Sequence, residues 1–187
     1  MAGQVPLSDL GHADPPSAPA APPRADALVA VVGLGSNLGD REAHLAFAEA
    51  RLEALGDLTV RARSSLYETA PWGTVPQGPY LNAALLVAWG GSPRGLLDRL
   101  LAVEREAGRV RTVRYGPRTL DLDVLWIEGL AHHDEALEVP HPHLTERAFA
   151  MLPLLEIAPF ARDPRTGAPY VAGPPNGVLA VRPARWR

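Results

Sequence analysis

The stretch LVAVVGLG, residues 28–35, is where the fold of this chain is decided. It is a short apolar run bounded by turn residues, the pattern of a central β-strand. Residues 40–56 follow it with leucines and alanines at helical spacing, with Asp40 as a candidate N-cap and Gly56 as a stop signal. The folded part of the chain therefore begins with a strand that leads directly into a helix.

The same kinds of element return further along the chain. Residues 58–68 partly alternate like a second strand, and residues 80–89, YLNAALLVAW, form a third. A second helix begins at Ser92, ends at Gly108 and precedes a fourth strand over residues 119–127. This order predicts an α+β fold, a ferredoxin-like βαββαβ sandwich with a four-stranded antiparallel sheet and two helices on one face.

Smaller elements are predicted beyond the fourth strand. Residues 128–139 are expected to form a C-terminal hairpin. Residues 145–157 are expected to give short helices interrupted by Pro153, since proline lacks the N–H that a helix interior needs.

Composition predicts one domain over residues 27–162, a disordered Pro/Ala-rich tail over residues 1–26 and an irregular extension over residues 163–187. No apolar run reaches the length of a membrane span, and the first residues lack the pattern of a secretory signal. The net charge of −3 does not suit an electrostatic nucleic-acid binder. We therefore expect a cytoplasmic protein that binds neither membrane nor nucleic acid.

The chain contains no cysteine and no lysine. The first absence excludes thiol catalysis and cysteine-type zinc sites, and the second excludes a P-loop lysine or a Schiff base. All 18 basic residues are arginines. Any phosphate that this protein binds must therefore be bound largely by arginine.

The strongest chemical signal is GPRTLDLD, residues 116–123. In a strand, Asp121 and Asp123 point to the same face, and two desolvated carboxylates are normally paired, protonated or bound to metal. Arg118 adds a guanidinium suited to phosphate oxygens. The stretch predicts a site for Mg²⁺ ions in phosphate chemistry. The alternative is a solvated edge strand with Arg118 as counter-ion.

The glycines of GLGSNLGD, residues 33–40, invite comparison with a dinucleotide-binding fingerprint. The third glycine falls one place late and no parallel-sheet repeat follows, so that interpretation is rejected. Two others stay open: a turn that lets a ligand approach closely, or a plain connection between strand and helix.

The segment TAPWGTVPQGPYLN, residues 69–82, combines prolines with Trp72, Tyr80 and Asn82. Aromatic faces can hold a flat heterocycle, and an asparagine amide can bond to its edge. The length also suits a lid that orders on binding. The alternative is a surface loop with Trp72 covering the core.

A group of arginines precedes the acidic pair. Arg109, Arg111, Arg114 and Arg118, which follow Glu104 at the end of the second helix, could clamp a polyphosphate, although a solvated helix end would also explain them. His141 follows a turn and could contact phosphate. The neighbouring pair HH at 132–133 is expected to be exposed in a hairpin turn.

Together these segments resemble the 6-hydroxymethyl-7,8-dihydropterin pyrophosphokinase family of the folate pathway. The resemblance covers about residues 28–160 and is carried by GLGSN, the PWG and YLNAA stretches, GRVR, YGPRTLDLDVL and VPHPHLTERAF. It implies transfer of pyrophosphate from ATP to the hydroxymethyl group of the pterin, with release of AMP and with two Mg²⁺ ions.

The resemblance also implies a map of the site. The metal ligands would be Asp121 and Asp123, which with Arg109 and Arg118 would be catalytic. The residues that face ATP would be Glu104, Arg109, Arg111, Arg118, His141 and Arg147. The residues of the pterin pocket would be Thr69, Pro71, Trp72, Gly73, Tyr80, Asn82 and Phe149.

Two other functions compete with this one. A metal-dependent nucleotidyltransferase could use the same acidic pair but would release pyrophosphate. A noncatalytic ferredoxin-like RNA-binding module would need exposed aromatics on its central strands, where this chain has LDLDVL. We expect the pyrophosphokinase, acting as a monomer on its two small-molecule substrates.

Overall fold

The computed structural model describes residues 27–54, 56–71, 76–109 and 116–184. Within these residues the chain is an α+β protein built on an antiparallel sheet, as predicted. The strands of this sheet are β1 (Leu28–Ser36), β2 (Leu58–Arg63), β3 (Leu66–Thr69), β4 (Tyr80–Trp89), β5 (Asp121–Ile127) and β8 (Val178–Arg182). The helices are α1 (Arg41–Glu53), α2 (Pro93–Glu106) and α3 (Ala148–Ile157).

The sheet has six strands, so the predicted count of four is wrong. Its order is β5-β1-β4-β3-β8, and β2 also pairs with β4. One extra strand arises because the predicted strand over residues 58–68 is broken into two. The other is β8, which lies in the segment expected to be irregular and pairs with the free edge of β3.

The break between β2 and β3 falls at two serines. The backbone and side chain of Ser64 bond to Ala84 of β4, and the hydroxyl of Ser64 also donates to the carbonyl oxygen of Ser65. The backbone N–H and hydroxyl of Ser65 donate to Glu156 of α3 at 2.8–3.1 Å. Serine side chains compete for backbone groups in this way, and the ladder ends there.

Helices α1 and α2 lie on one face of the sheet, as predicted, and begin where the sequence indicates. The Asp40 carboxylate accepts from the N–H of Ala43 at 3.1 Å, and the Ser92 hydroxyl accepts from that of Gly95 at 3.1 Å. These are N-cap bonds. The leucines of both helices join one buried cluster with alternate residues of the central strands.

The other face of the sheet is covered in part by α3. This helix runs unbroken through Pro153, contrary to the prediction of interrupted turns. Proline removes a single helical hydrogen bond, whereas burial of Met151, Leu154 and their neighbours against the sheet stabilises the whole helix. Packing therefore outweighs the local cost.

The predicted hairpin also forms, from β6 (His132–His133) and β7 (Glu138–Val139). A short 3₁₀ helix (Leu144–Glu146) then leads into α3. Among the described helices, none has both the length and the apolar character needed to cross a membrane. The sheet face that α3 leaves uncovered is the part of the fold that positions the site.

Candidate active site

A cavity of about 310 Å³ opens on the α3 side of the sheet. Its floor comes from the facing positions of β1, β4 and β5, and its rim from the segment before α3. The lining residues are Gly33, Leu34, Gly35, Thr69, Ala70, Tyr80, Asn82, Ala83, Arg118, Asp121, Asp123, Leu125, His141, Pro142, His143, Arg147, Phe149 and Ala150. Carboxylates, arginines, an amide and aromatic rings thus share one cavity.

Asp121 and Asp123 lie on β5 opposite Gly35 and Gly33 of β1, and both line the cavity as their spacing predicted. Asp121 is bound by two guanidiniums. Arg109 contacts its Oδ1 at 2.8 Å, and Arg118 pairs with its Oδ2. One of the two carboxylates is therefore already charge-compensated by arginine.

Asp123 has a different environment. No ion pair to it occurs within the described residues, and burial together with the charge of Asp121 raises its pKa to about 7. Two carboxylates at one edge of a cavity are what Mg²⁺ uses in proteins, with water and phosphate oxygens completing the octahedron. Within the described residues, no group of three or more His, Cys, Asp or Glu side chains is arranged to hold a metal, so a divalent cation at this pair would need further oxygens from water or from a bound ligand.

The two glycines of β1 form the floor between these carboxylates and β4. A Cβ added at Gly35 would lie 3.1 Å from Asn82 Oδ1, and one at Gly33 would lie 3.0 Å from the Leu125 side chain. Both glycines line the cavity. Of the two interpretations left open for this segment, the structure favours close approach to a ligand.

Asn82 is the buried amide at the inner end of the cavity. Its Nδ2 donates to Thr69 Oγ1 at 2.8 Å, which fixes the orientation of the amide. The Tyr80 hydroxyl lies 3.2 Å from Gln77 Oε1 and donates to the Gly116 carbonyl oxygen at 3.4 Å, and burial raises its pKa. Rings and an oriented amide suit a flat, hydrogen-bonding heterocycle.

His141 and Arg147 form the opposite rim. Burial, with a smaller effect of Arg147, lowers the pKa of His141 to about 4, so the ring is neutral at pH 7. Its Nδ1 accepts from the His143 N–H at 3.1 Å, which leaves Nε2–H as its donor. Arg147 lies over the Phe149 ring, 5.7 Å from its centroid.

Glu104 does not line the cavity, although the resemblance placed it against ATP. Its side chain is only 2% exposed and lies behind β5, where it accepts from the Leu122 N–H at 2.8 Å and pairs with Arg109. Burial raises its pKa. Its position is that of a support for β5 and for Arg109.

Asn37, which connects the segment before Tyr80 to the segment that carries Arg118, was not identified from the sequence. The Asn37 side chain donates to Gln77 Oε1 at 3.0 Å and accepts from the Arg118 N–H at 2.7 Å. The backbone N–H of Asn37 also donates to the Arg118 carbonyl oxygen at 3.1 Å. Asn37 ends the GLGSN segment, and its position directly after a glycine-containing strand end was the available signal.

The structure brings most of the predicted site together. The predicted site residues that line the cavity are Thr69, Tyr80, Asn82, Arg118, Asp121, Asp123, His141, Arg147 and Phe149. Arg109 reaches the site through Asp121, whereas Pro71 is outside the lining although its neighbour Ala70 belongs to it. Trp72, Gly73 and Arg111 lie outside the described residues, as does Arg114.

The histidines at 132 and 133 belong to the hairpin and do not line the cavity, but they form its strand β6 and not its turn, and the expected exposure holds fully only for His133. His132 contacts Asp134 at 2.9 Å, and His133 is 79% exposed. His143, by contrast, lines the cavity and was not predicted to.

A cavity that combines a carboxylate pair, arginines, an oriented amide and aromatic rings suits an enzyme that transfers a phosphate-containing group between small molecules. Comparison with known proteins narrows this class. The model of the 7,8-dihydro-6-hydroxymethylpterin-pyrophosphokinase family matches residues 31–159. The chain belongs to this family.

Curated relatives agree with the family match. The chain is 48% identical to the 2-amino-4-hydroxy-6-hydroxymethyldihydropteridine pyrophosphokinase of Methylorubrum extorquens over 130 residues, which cover 70% of this chain and 82% of that protein. It is 42% identical to the Bacillus subtilis protein of the same name over 140 residues, covering 75% and 84%.

Solved structures show the same fold. The crystal structure of Plasmodium falciparum HPPK-DHPS wild type with SDX-DHP matches with a TM-score of 0.57 at 15% identity. The match covers 77% of this chain and 43% of that one. The chain thus spans less than half of this solved relative, and at this identity the likeness concerns the fold.

Proposed function

We propose that this protein transfers pyrophosphate from ATP to the hydroxymethyl group of 6-hydroxymethyl-7,8-dihydropterin, yielding AMP and the pterin diphosphate in folate biosynthesis. Family membership supports the reaction. The observation that carries it is that one cavity joins the carboxylate pair to the oriented Asn82 amide and the rings of Tyr80 and Phe149. A phosphate donor and a flat acceptor could both be held there.

In this proposal, the pterin occupies the end of the cavity formed by Thr69, Tyr80, Asn82 and Phe149. Thr69 holds the amide of Asn82 in one orientation, so that the amide can recognise the edge of the heterocycle. The rings bind its faces. The predicted contributions of Pro71, Trp72 and Gly73 remain part of the proposal.

The triphosphate of ATP then lies toward Arg118, Arg147 and His141. The guanidiniums stabilise its charge, and the neutral imidazole donates from Nε2 without adding charge. Arg109 and Arg118 are paired with Asp121, and phosphate oxygens of ATP compete for the same guanidiniums. The guanidiniums that bind these oxygens stabilise the negative charge of the reacting phosphates. Arg111 is assigned to the same role, and Glu104 acts indirectly by holding Arg109.

We further propose that Asp121 and Asp123 bind two Mg²⁺ ions. When bound, these ions neutralise phosphate charge and polarise the phosphorus that is attacked. The protein itself contributes mostly by positioning, since it brings the acceptor hydroxyl and the phosphate chain into one cavity. We place the catalytic residues within 27–162, to whose sheet the following segment adds β8, and we propose that the protein acts as a monomer in the cytoplasm.

The test is to identify the nucleotide product. The purified protein is incubated with Mg²⁺, ATP and the pterin, and nucleotides are separated by ion-exchange chromatography. AMP that forms only when the pterin is present is the expected result. Release of pyrophosphate would indicate the nucleotidyltransferase, and ADP or no turnover would contradict the proposal. Asp123→Asn serves as the inactive control.

A further inference from the structure

Arg41 does not line the cavity, but it contacts both β3 and the residue that precedes β4. It is the first residue of α1 and is only partly exposed, at 27% of its side chain. Its Nη1 donates to the Pro79 carbonyl oxygen at 2.9 Å, and its Nη2 pairs with Glu68 Oε1 at 2.9 Å. One guanidinium therefore ties the end of β3 to the residue that precedes β4.

These two contacts immediately flank cavity residues. Glu68 precedes Thr69, and Pro79 precedes Tyr80, while Thr69 and Tyr80 are paired across the strands and both line the cavity. Successive side chains of a strand point to opposite faces. Arg41 thus holds this strand pair from the α1 side, and the pair presents its substrate side to the cavity.

The chemistry of arginine suits a bridge to two acceptors. The guanidinium is planar and rigid, and it presents donors in fixed directions to two acceptors at once. Both acceptors are oxygens, one of them charged, so the bonds are strong for a partly shielded position. A second pair nearby, Arg182 with Glu42 at 2.5 Å, joins α1 to β8 without contacting Pro79.

We propose that Arg41 is a positioning residue for pterin recognition: by bridging Glu68 and the Pro79 carbonyl, it fixes the spacing of Thr69 and Tyr80 and so the orientation of Asn82. The inference rests on the proposed function. If the bridge is lost, the strand ends sample arrangements that do not bind pterin, and the apparent affinity falls in proportion to the competent fraction.

The experiment compares Arg41→Gln with wild type in steady-state kinetics and in equilibrium binding of the pterin with a non-hydrolysable ATP analogue. We expect the KM and Kd for the pterin to rise about tenfold, as loss of a charged hydrogen-bond pair predicts. The KM for ATP should stay within about twofold and kcat within about threefold, since no group that faces ATP has changed.

Three further variants keep the result interpretable. Arg182→Gln removes a cation from the same corner and should leave the pterin KM within about twofold. Arg41→Lys retains the charge but not the two-directional donor, and it should fall between wild type and Arg41→Gln. Glu68→Gln keeps the Pro79 contact, should raise the KM less, and replaces Arg41→Gln if that variant fails to fold.

The outcomes separate this inference from the proposed function. Wild-type protein that produces no AMP would overturn the proposed function. Active wild-type protein combined with an unchanged pterin KM in Arg41→Gln, or with equal rises in Arg41→Gln and Arg182→Gln, would overturn the positioning role alone.

Discussion

Asp121 and Asp123 are two residues apart on one strand, yet the protein treats them differently. Asp121 is bound by Arg109 and Arg118, so its charge is compensated before any ligand arrives. Asp123 has no such ion pair among the described residues, and burial raises its pKa. The sequence pattern presents the two as equivalent ligands. Substituting Asp121 and substituting Asp123 should therefore change the stability of the protein differently, even though we propose both as metal ligands.

Asp123→Asn should abolish transfer and stabilise the metal-free protein near neutral pH. The folded state raises the Asp123 pKa from 3.8 to about 7. Its contribution to stability is therefore full below about pH 4 and lost as the pH rises through about 7. The variant lacks this loss, so at pH 8 it should melt at least about 3 °C higher than wild type, with a smaller gap at pH 5. Thermal melts in EDTA measure this.

Asp121→Asn is the matched control for that prediction. It leaves Arg118 without its carboxylate and Arg109 with Glu104 alone, so it should not stabilise the protein at any pH in this range. Equal stabilisation by both variants, or none by Asp123→Asn at pH 8, would contradict the assigned environments.

At the scale of elements, β1 contributes to the site through two glycines, whose missing side chains leave space in the cavity. Gly33 and Gly35 face the cavity at positions where a side chain would meet Leu125 or Asn82. The remaining residues of β1 pack as an ordinary central strand, with Ala30, Val32 and Leu34 buried against α1 and α2. The strand thus serves the core on one face and the site on the other.

Gly35→Ala should impair pterin binding specifically. The added methyl would lie 3.1 Å from Asn82 Oδ1 and 3.8 Å from the Tyr80 ring, so the amide must shift. We expect the pterin KM to rise at least about tenfold, with the ATP KM within about twofold. Gly33→Ala is the control, because its methyl meets the Leu125 side chain instead and should mainly lower the melting temperature. Steady-state kinetics of both variants measure this. A larger effect of Gly33→Ala on the pterin KM would contradict the proposed role of Gly35 beside Asn82.

The contact between α2 and β5 depends on a buried charge. Glu104 of α2 accepts from the Leu122 N–H and pairs with Arg109. Glu104→Ala should lower the free energy of unfolding by about 3 kcal/mol, because it removes one partner of a buried pair. Glu104→Gln keeps an oxygen acceptor for Leu122 and should cost about 1 kcal/mol. Urea denaturation distinguishes them, and a wild-type value for Glu104→Ala would refute the supporting role.

At the scale of the whole molecule, the C-terminal segment that contains β8 supports the cavity residues at the end of β3. Strand β8 covers the edge of β3, and the Gly177 carbonyl oxygen accepts from the Ala70 N–H at 2.8 Å. Ala70 lines the cavity. Leu179 and Val181 are exposed, at 63% and 53%, so this strand contributes pairing more than apolar burial.

A chain that ends at Gly173 should still fold but bind pterin less well. It leaves β3 as an edge strand and the Ala70 N–H without its acceptor, which should raise the pterin KM about threefold or more. The melting temperature should fall only modestly, since little apolar area is lost. Removal of residues 1–26, which lie outside the resemblance, is the control and should leave the KM within about twofold. A truncated chain with wild-type KM would contradict this role of β8.

Much of the fold was predictable because its signals are local. Strand alternation, helix spacing and the caps at Asp40 and Ser92 depend on residues within a few positions of each other. The six-stranded arrangement was not predictable in this way. It depends on Glu156 reaching Ser65 and on β8 finding β3, contacts between residues far apart in the chain.

By itself, the sequence determined which chemistry is open to this protein: two carboxylates on one strand face, arginine as the only cationic side chain for phosphate, and aromatic and amide groups near Tyr80. Only the tertiary structure decided how these groups are used. It placed Glu104 against the backbone of β5, Asn37 against the backbone of Arg118, and Arg41 against the carbonyl oxygen of Pro79. The periodicity of a strand is local, whereas the partner of a buried charge or amide is chosen by packing.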